Sequence, residues 1–144
     1  MGQRSQGTGI AVAVILGIAM AIGVAAVAAS GGGDPTIRGT SGPDRLIGTQ
    51  RPDTILGRGG RDLLKGRGGD DALNGGPGGD RLVGGKGYDR LTGARGNDVI
   101  DARDGHRDTI DCGAGRRDSA IVDRAEDGLY DCEGIAMPRG KSAR

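Results

Sequence analysis

Seven aspartates stand nine residues apart: Asp44, Asp53, Asp62, Asp71, Asp80, Asp89 and Asp98. An ionised carboxylate is a hard oxygen ligand. Each of these lies in a glycine-rich stretch whose backbone carbonyls are further oxygen donors. Calcium takes about 6–8 oxygens in flexible geometry, so oxygen-rich loops of this kind suit it. No single loop so short supplies that many. Stacked copies can, because each ion then lies between two of them.

The elements that must position these carboxylates follow from the rest of the period. Two places after each Asp stands an aliphatic residue: Leu46, Ile55, Leu64, Leu73, Leu82, Leu91 and Ile100. Five places before each stands a glycine: Gly39, Gly48, Gly57, Gly66, Gly75, Gly84 and Gly93. One aliphatic residue in nine is too sparse for a helix stripe, which needs one about every 3.6 residues. It suits a strand of about three residues that points one side chain into a narrow core. The glycines let the chain turn back tightly between strands. A fixed period of this kind marks an internal repeat of the solenoid type. The unit is best kept from Gly57 to Thr92, as GRGGRDLLK, GRGGDDALN, GGPGGDRLV and GGKGYDRLT.

This unit resembles the RTX, or haemolysin-type, calcium-binding nonapeptide G-G-x-G-x-D-x-U-x. The resemblance covers roughly residues 37–111. It implies an all-β fold, a parallel β-roll (a β-solenoid) in which two nonapeptides make one coil. Ca²⁺ is then the cofactor, held in the turns by the aspartates named above together with Gly57, Gly66, Gly75, Gly84 and Gly93. Asp44, Asp62, Asp80 and Asp98 line one edge of such a roll, and Asp53, Asp71 and Asp89 the other. Departures from the pattern weaken some turns. The second glycine survives only as Gly76 and Gly85, with Thr40, Thr49, Arg58, Arg67 or Ala94 elsewhere. Arg51 replaces the fourth-position glycine before Asp53, and the spacing slips to ten at Asp108 and Asp118. The sites between Asp62 and Asp80, Asp80 and Asp98, and Asp71 and Asp89 are therefore expected to be the best formed.

Arg45, Arg58, Arg61, Arg67, Arg81, Arg90 and Arg95 lie among the carboxylates, and the net charge is only +1. These arginines are either solvated surface charges or guanidinium groups that stand in for some ions. Exposed ion pairs contribute only about 0–1 kcal/mol each, which favours the first reading. Alternation with Asp and the near absence of aromatics (no Trp, no Phe, two Tyr) speak against nucleic-acid binding. The same lack of large side chains excludes a conventional globular core, and a thin core of this kind usually needs a staple.

Five segments follow from composition: 1–29, 30–36, 37–111, 112–136 and 137–144. Residues 9–29 are almost wholly apolar, behind the single cation Arg4, and Val27-Ala28-Ala29 offers small residues before a polar stretch. That reads as a signal peptide cleaved near Ala29 or as a retained membrane anchor. Either places the repeats outside the cytoplasm, secreted or anchored. Residues 30–36 read as a flexible linker and 37–111 as the roll. Residues 112–136 read as a cap over the exposed strand edges of the solenoid end, with Ile121, Val122, Leu129 and Ile135 as an apolar plug. Cys112 and Cys132 form an even pair in an exported chain, which favours a disulfide over two free thiols. The tail 137–144 reads as disordered.

Catalytic patterns are missing. The lone His106, in DARDGHRD, reads as surface, and H-E-x-x-H, G-x-S-x-G and G-x-x-x-x-G-K-[ST] do not occur. A glycosidase carboxylate pair is unneeded where a repeat ladder already accounts for the aspartates. Asp123 to Gly134 has some EF-hand positions, but Ala125 and Gly134 break the loop. The expectation is an exported, non-catalytic calcium-binding roll with no enzyme activity. The alternative is a surface spacer or adhesive protein held by Asp–Arg pairs, with calcium incidental.

Overall fold

A computed structural model of the chain describes residues 25–27, 34, 36–123 and 128–137. Most of the apolar segment 9–29, most of the linker 30–36 and all but Met137 of the tail lie outside the described residues.

The chain winds as a parallel β-solenoid with two sheets. One runs in the order β1 (Ala25–Val27), β3 (Arg45–Ile47), β5 (Leu63–Gly68), β7 (Arg81–Lys86), β9 (Val99–Ala102), β11 (Ser119–Val122) and β13 (Gly134–Ala136). The other runs β12 (Gly128–Tyr130), β10 (Thr109–Asp111), β8 (Arg90–Arg95), β6 (Ala72–Pro77), β4 (Thr54–Leu56) and β2 (Thr36–Arg38). Successive strands alternate between the sheets, so two nonapeptides make one coil. Through the regular repeats each strand pairs with the one 18 residues on, as in Leu64 with Leu82 and Leu73 with Leu91.

Period-two alternation decides which side chains face in. The aliphatic residue two places after each Asp is the inward one. Leu46, Leu64, Leu82 and Ile100 come from one sheet, and Ile55, Leu73, Leu91 and Ile110 from the other; all are buried. Each fully buried Leu or Ile contributes about 1.5–3 kcal/mol, and the stack is continuous because every coil adds one from each side. Where the nonapeptide is best kept, β5 to β8 lengthen to six residues and pairing continues round the corner, with Arg67 opposite Gly85 and Gly76 opposite Ala94.

The decapeptide spacing after Asp98 does not break the stack. Ile110 pairs with Leu91 and Ala120 with Ile100, offsets of 19 and 20 residues. The extra residues are taken up in the turns, while Ile110, Ala120 and Val122 stay buried. Residues 112–136 therefore carry the coil onward, and their strands β12 and β13 end the two sheets. The apolar plug differs from expectation: Val122 is buried and Leu129 packs against the core, but Ile121 is only half-buried and Ile135 is exposed. Alternation turns Ile121 outward because its neighbours Ala120 and Val122 face in.

Cys112 and Cys132 are joined by a disulfide with Cα atoms 5.1 Å apart. Cys112 sits in the core between the sheets, so the bridge ties the last coil to it. A loop of this length contributes on the order of 3 kcal/mol.

Candidate metal centre

Each ladder aspartate closes the turn that leads into its strand. From Asp62 onward its Oδ1 accepts the backbone N–H of the aspartate one coil earlier, whereas Asp53 Oδ1 is buried without a partner. On one edge Asp44 N–H donates to Asp62, Asp62 to Asp80, Asp80 to Asp98 and Asp98 to Asp118, at 2.7–2.8 Å. On the other, Asp53 donates to Asp71, Asp71 to Asp89 and Asp89 to Asp108, at 2.8–2.9 Å. The structure thus places the seven predicted aspartates on the two edges that the resemblance implied, and adds Asp108 and Asp118. At the end of the first edge Asp118 N–H donates to Glu133 Oε2 at 2.8 Å. The nine-residue period does not reach Asp118 or Glu133. The aliphatic-type residues two places on, Ile110 and Ala120, carry the signal that extends the ladder to Asp108 and Asp118; nothing in the spacing points to Glu133.

The second oxygen, Oδ2, has a different fate. In Asp62, Asp71, Asp80, Asp89 and Asp98 it is buried with no hydrogen-bond partner. These side chains are almost wholly enclosed, Asp98 at 0% and the others at 2% exposure. A buried carboxylate oxygen left unpaired is costly. The enclosure comes from the first glycine of the turn. A Cβ on Gly57 would lie 2.5 Å from Asp62 Oδ2 and 2.5 Å from the Gly75 carbonyl oxygen. Gly66, Gly75, Gly84 and Gly93 sit against Asp71, Asp80, Asp89 and Asp98 in the same way. These five glycines are needed for close approach; their φ angles are not left-handed.

Burial dominates the electrostatics. Desolvation pushes Asp71 up to about 7 and Asp89 up to about 6, against the hydrogen bonds donated by Asp53 and Asp71. Neighbouring carboxylates add to the rise: Asp89, Asp53 and Asp70 around Asp71, and Asp104 and Asp70 around Asp89. Asp62, Asp80 and Asp98 are raised for the same reasons, with Asp80 and Asp44 beside Asp62, Asp98 beside Asp80, and Asp118 beside Asp98.

The repeat arginines lie on the outside of this ladder. Arg45, Arg58, Arg61, Arg67, Arg81, Arg90 and Arg95 are all exposed. Arg61 Nε donates to the Gly79 carbonyl, 3.3 Å away, one coil on. Among the described residues an Asp–Arg ion pair joins Arg103 to Asp101 at 2.7 Å, outside the ladder, and holds Asp101 below the ordinary carboxylate range through the hydrogen bond. His106 is exposed and its Nδ1 lies 2.8 Å from Asp104 Oδ2, in the turn that absorbs the first extra residue. Burial pushes Asp104 up, but the N–H groups of His106 and Gly87 and the imidazole outweigh it, so Asp104 stays low.

Four matches to the RTX calcium-binding nonapeptide repeat cover residues 30–50, 38–73, 47–82 and 74–108, together more than half of the 144 residues. The chain belongs to the RTX calcium-binding repeat family. No curated protein and no solved structure matches it. Calcium-binding RTX repeats wound into a β-roll suggest a calcium-binding repeat protein. The residues present fit that ion. Buried carboxylate oxygens without partners face turns built of backbone carbonyls, a hard-oxygen donor set. No three acidic, His or Cys side chains of the described residues gather at one point. The remaining donors in this RTX roll would therefore be carbonyl oxygens of stacked turns.

Proposed function

We propose that this is an exported, non-catalytic calcium-binding roll whose folding is coupled to Ca²⁺ held between stacked Gly/Asp turns. The observation that carries the reading is the row of buried Oδ2 atoms on Asp62, Asp71, Asp80, Asp89 and Asp98, which have no protein partner. A divalent cation would relieve both the unpaired oxygens and the repulsion between successive carboxylates. The first-position glycines Gly57, Gly66, Gly75, Gly84 and Gly93 bring the carboxylates against the turn backbone. Export is supported by the apolar segment 9–29, as cleaved signal or anchor, and by the Cys112–Cys132 bridge. The only partner this reading requires is calcium.

The rival reading, a spacer held by Asp–Arg pairs, meets an opposing observation. The seven repeat arginines are exposed, Asp53 to Asp98 of the ladder are buried, and the Arg103–Asp101 and His106–Asp104 pairs lie outside the ladder.

Circular dichroism during a calcium titration separates the two. The chain is expected to lack most β signal in chelator and to gain it at roughly 10⁻⁴–10⁻³ M calcium, the range of extracellular modules. Magnesium, with its tighter octahedral demand, should substitute poorly. Full β signal in chelator would refute the coupling and favour the spacer.

A further inference from the structure

The repeat pattern treats Asp44 to Asp98 alike, but the fate of Oδ2 divides them. In the first two turns a threonine fills the second position. Thr40 donates to Asp44 Oδ2 from its N–H at 2.6 Å and its hydroxyl at 3.0 Å. Thr49 does the same to Asp53 Oδ2 at 2.5 and 2.9 Å. Each hydroxyl also accepts a turn N–H, from Gly42 or Arg51, at 3.1 Å. The turn of Asp44 is thus closed by its own chain, whereas Asp53 keeps Oδ1 buried without a partner.

From the third turn on, the second position is Arg58, Arg67, Gly76, Gly85 or Ala94, and every one is left-handed, with φ between 79° and 111°. None of these residues hydrogen-bonds the aspartate four places on, whose Oδ2 stays buried and unpaired. The same arrangement recurs beyond the matched repeats. Gly113 has φ 86° and is stacked on Ala94, whose carbonyl accepts the Ala114 N–H at 2.6 Å. One extra residue follows, and Asp118 then accepts the Asp98 N–H through Oδ1 while its Oδ2 is buried and without a partner. Asp118 is 1% exposed. A Cβ on the intervening Gly115 would collide with both Asp118 oxygens and the Gly96 carbonyl.

We infer that the ion ladder is displaced along the chain from the repeat pattern: Asp44 is closed by Thr40 and takes no ion, whereas Asp118 provides a further calcium site against the turn of Asp98. The inference rests on the calcium reading above. The nearby Arg116 and Arg117 are exposed, and neither forms an ion pair with Asp118 among the described residues.

The test is native mass spectrometry of the full chain in calcium, which counts ions on compact molecules and so separates a lost ion from a lost fold. Asn keeps an oxygen acceptor for the ladder N–H and removes the charge. Asp44→Asn should bind the wild-type number of ions. Asp118→Asn should bind about one fewer, in keeping with one charged ligand lost from a site of several oxygens. Fewer ions in Asp44→Asn, or the wild-type number in Asp118→Asn, overturns the inference. A wild-type chain that binds no calcium overturns the calcium reading itself, and this inference with it.

Discussion

Asp80 and Leu82 stand two residues apart and do different work, and a pair of substitutions separates them. Asp80 Oδ1 accepts the Asp62 N–H and its own N–H donates to Asp98, so it joins three coils. Asp80→Asn keeps that ladder and removes one charge. It should raise the calcium midpoint while leaving the calcium-saturated roll close to wild-type stability. Leu82 is fully buried. Leu82→Ala should cost about 2–5 kcal/mol in the saturated roll, toward the lower end because the core is thin. It should shift the midpoint only through that loss of stability. Denaturant melts in saturating calcium, alongside calcium titrations, measure both. Equal losses of saturated stability would mean that the carboxylate is a packing group and not a ligand. The inward aliphatic residue and the stacked carboxylate were both legible in the nine-residue period, because each occupies one fixed place in it. The threonine closure was not. Thr40 and Thr49 look like lost glycines in the pattern, and their hydrogen bonds to Asp44 and Asp53 depend on a backbone conformation that no spacing reveals.

At the scale of the turn, the second position is where sequence and backbone disagree. Arg58, Arg67 and Ala94 have left-handed φ of 79°, 86° and 81°, a region that side chains rarely adopt. Stacking imposes it: Arg67 pairs with Gly85 in the long strands β5 and β7, and Gly85 is itself left-handed. A residue with a Cβ in this region is penalised by roughly 1–2 kcal/mol. Glycine removes that penalty but adds freedom to the unfolded chain. Arg67→Gly should therefore stabilise the calcium-saturated roll, by up to about 1 kcal/mol. A rise in the denaturation midpoint checks it, and a fall would mean that the exposed guanidinium makes an interaction the roll needs. The glycine losses legible in the sequence suggested damaged turns at these positions. The structure keeps the turns instead and places the cost in the backbone. Arg51, at the fourth position, does not break its turn either: Thr49 holds it, and Asp53 remains 2% exposed.

For the whole molecule, a net charge of +1 conceals a radial separation, with ladder aspartates inside and arginines outside. That balance is a surface matter: the Oδ2 atoms of Asp62, Asp71, Asp80, Asp89 and Asp98 are buried without a hydrogen-bond partner, while the repeat arginines are exposed. The architecture was legible because one period sets coil length, core and edge together. The course of residues 112–136 was less so, since a ten-residue spacing and a shorter last coil conceal strands that still stack. The interior charge has a consequence for pH. Asp71 is raised to about 7 and Asp89 to about 6 from an ordinary 3.8, chiefly by desolvation. A carboxyl whose folded pKa lies above its unfolded value binds more protons when folded. Its contribution to stability is fully present below the unfolded pKa and is lost as pH rises through the folded one. In chelator, the β signal should accordingly be greater at about pH 5 than at about pH 8, with the loss centred between about 6 and 7. Saturating calcium should reverse the slope. The ion binds the ionised form, protons compete with it, and the calcium midpoint should rise as pH falls. Circular dichroism across pH, with chelator and with calcium, reads both arms. A chelated chain that is more ordered at about pH 8 than at about pH 5 would show that the buried carboxylates do not hold the unliganded roll open.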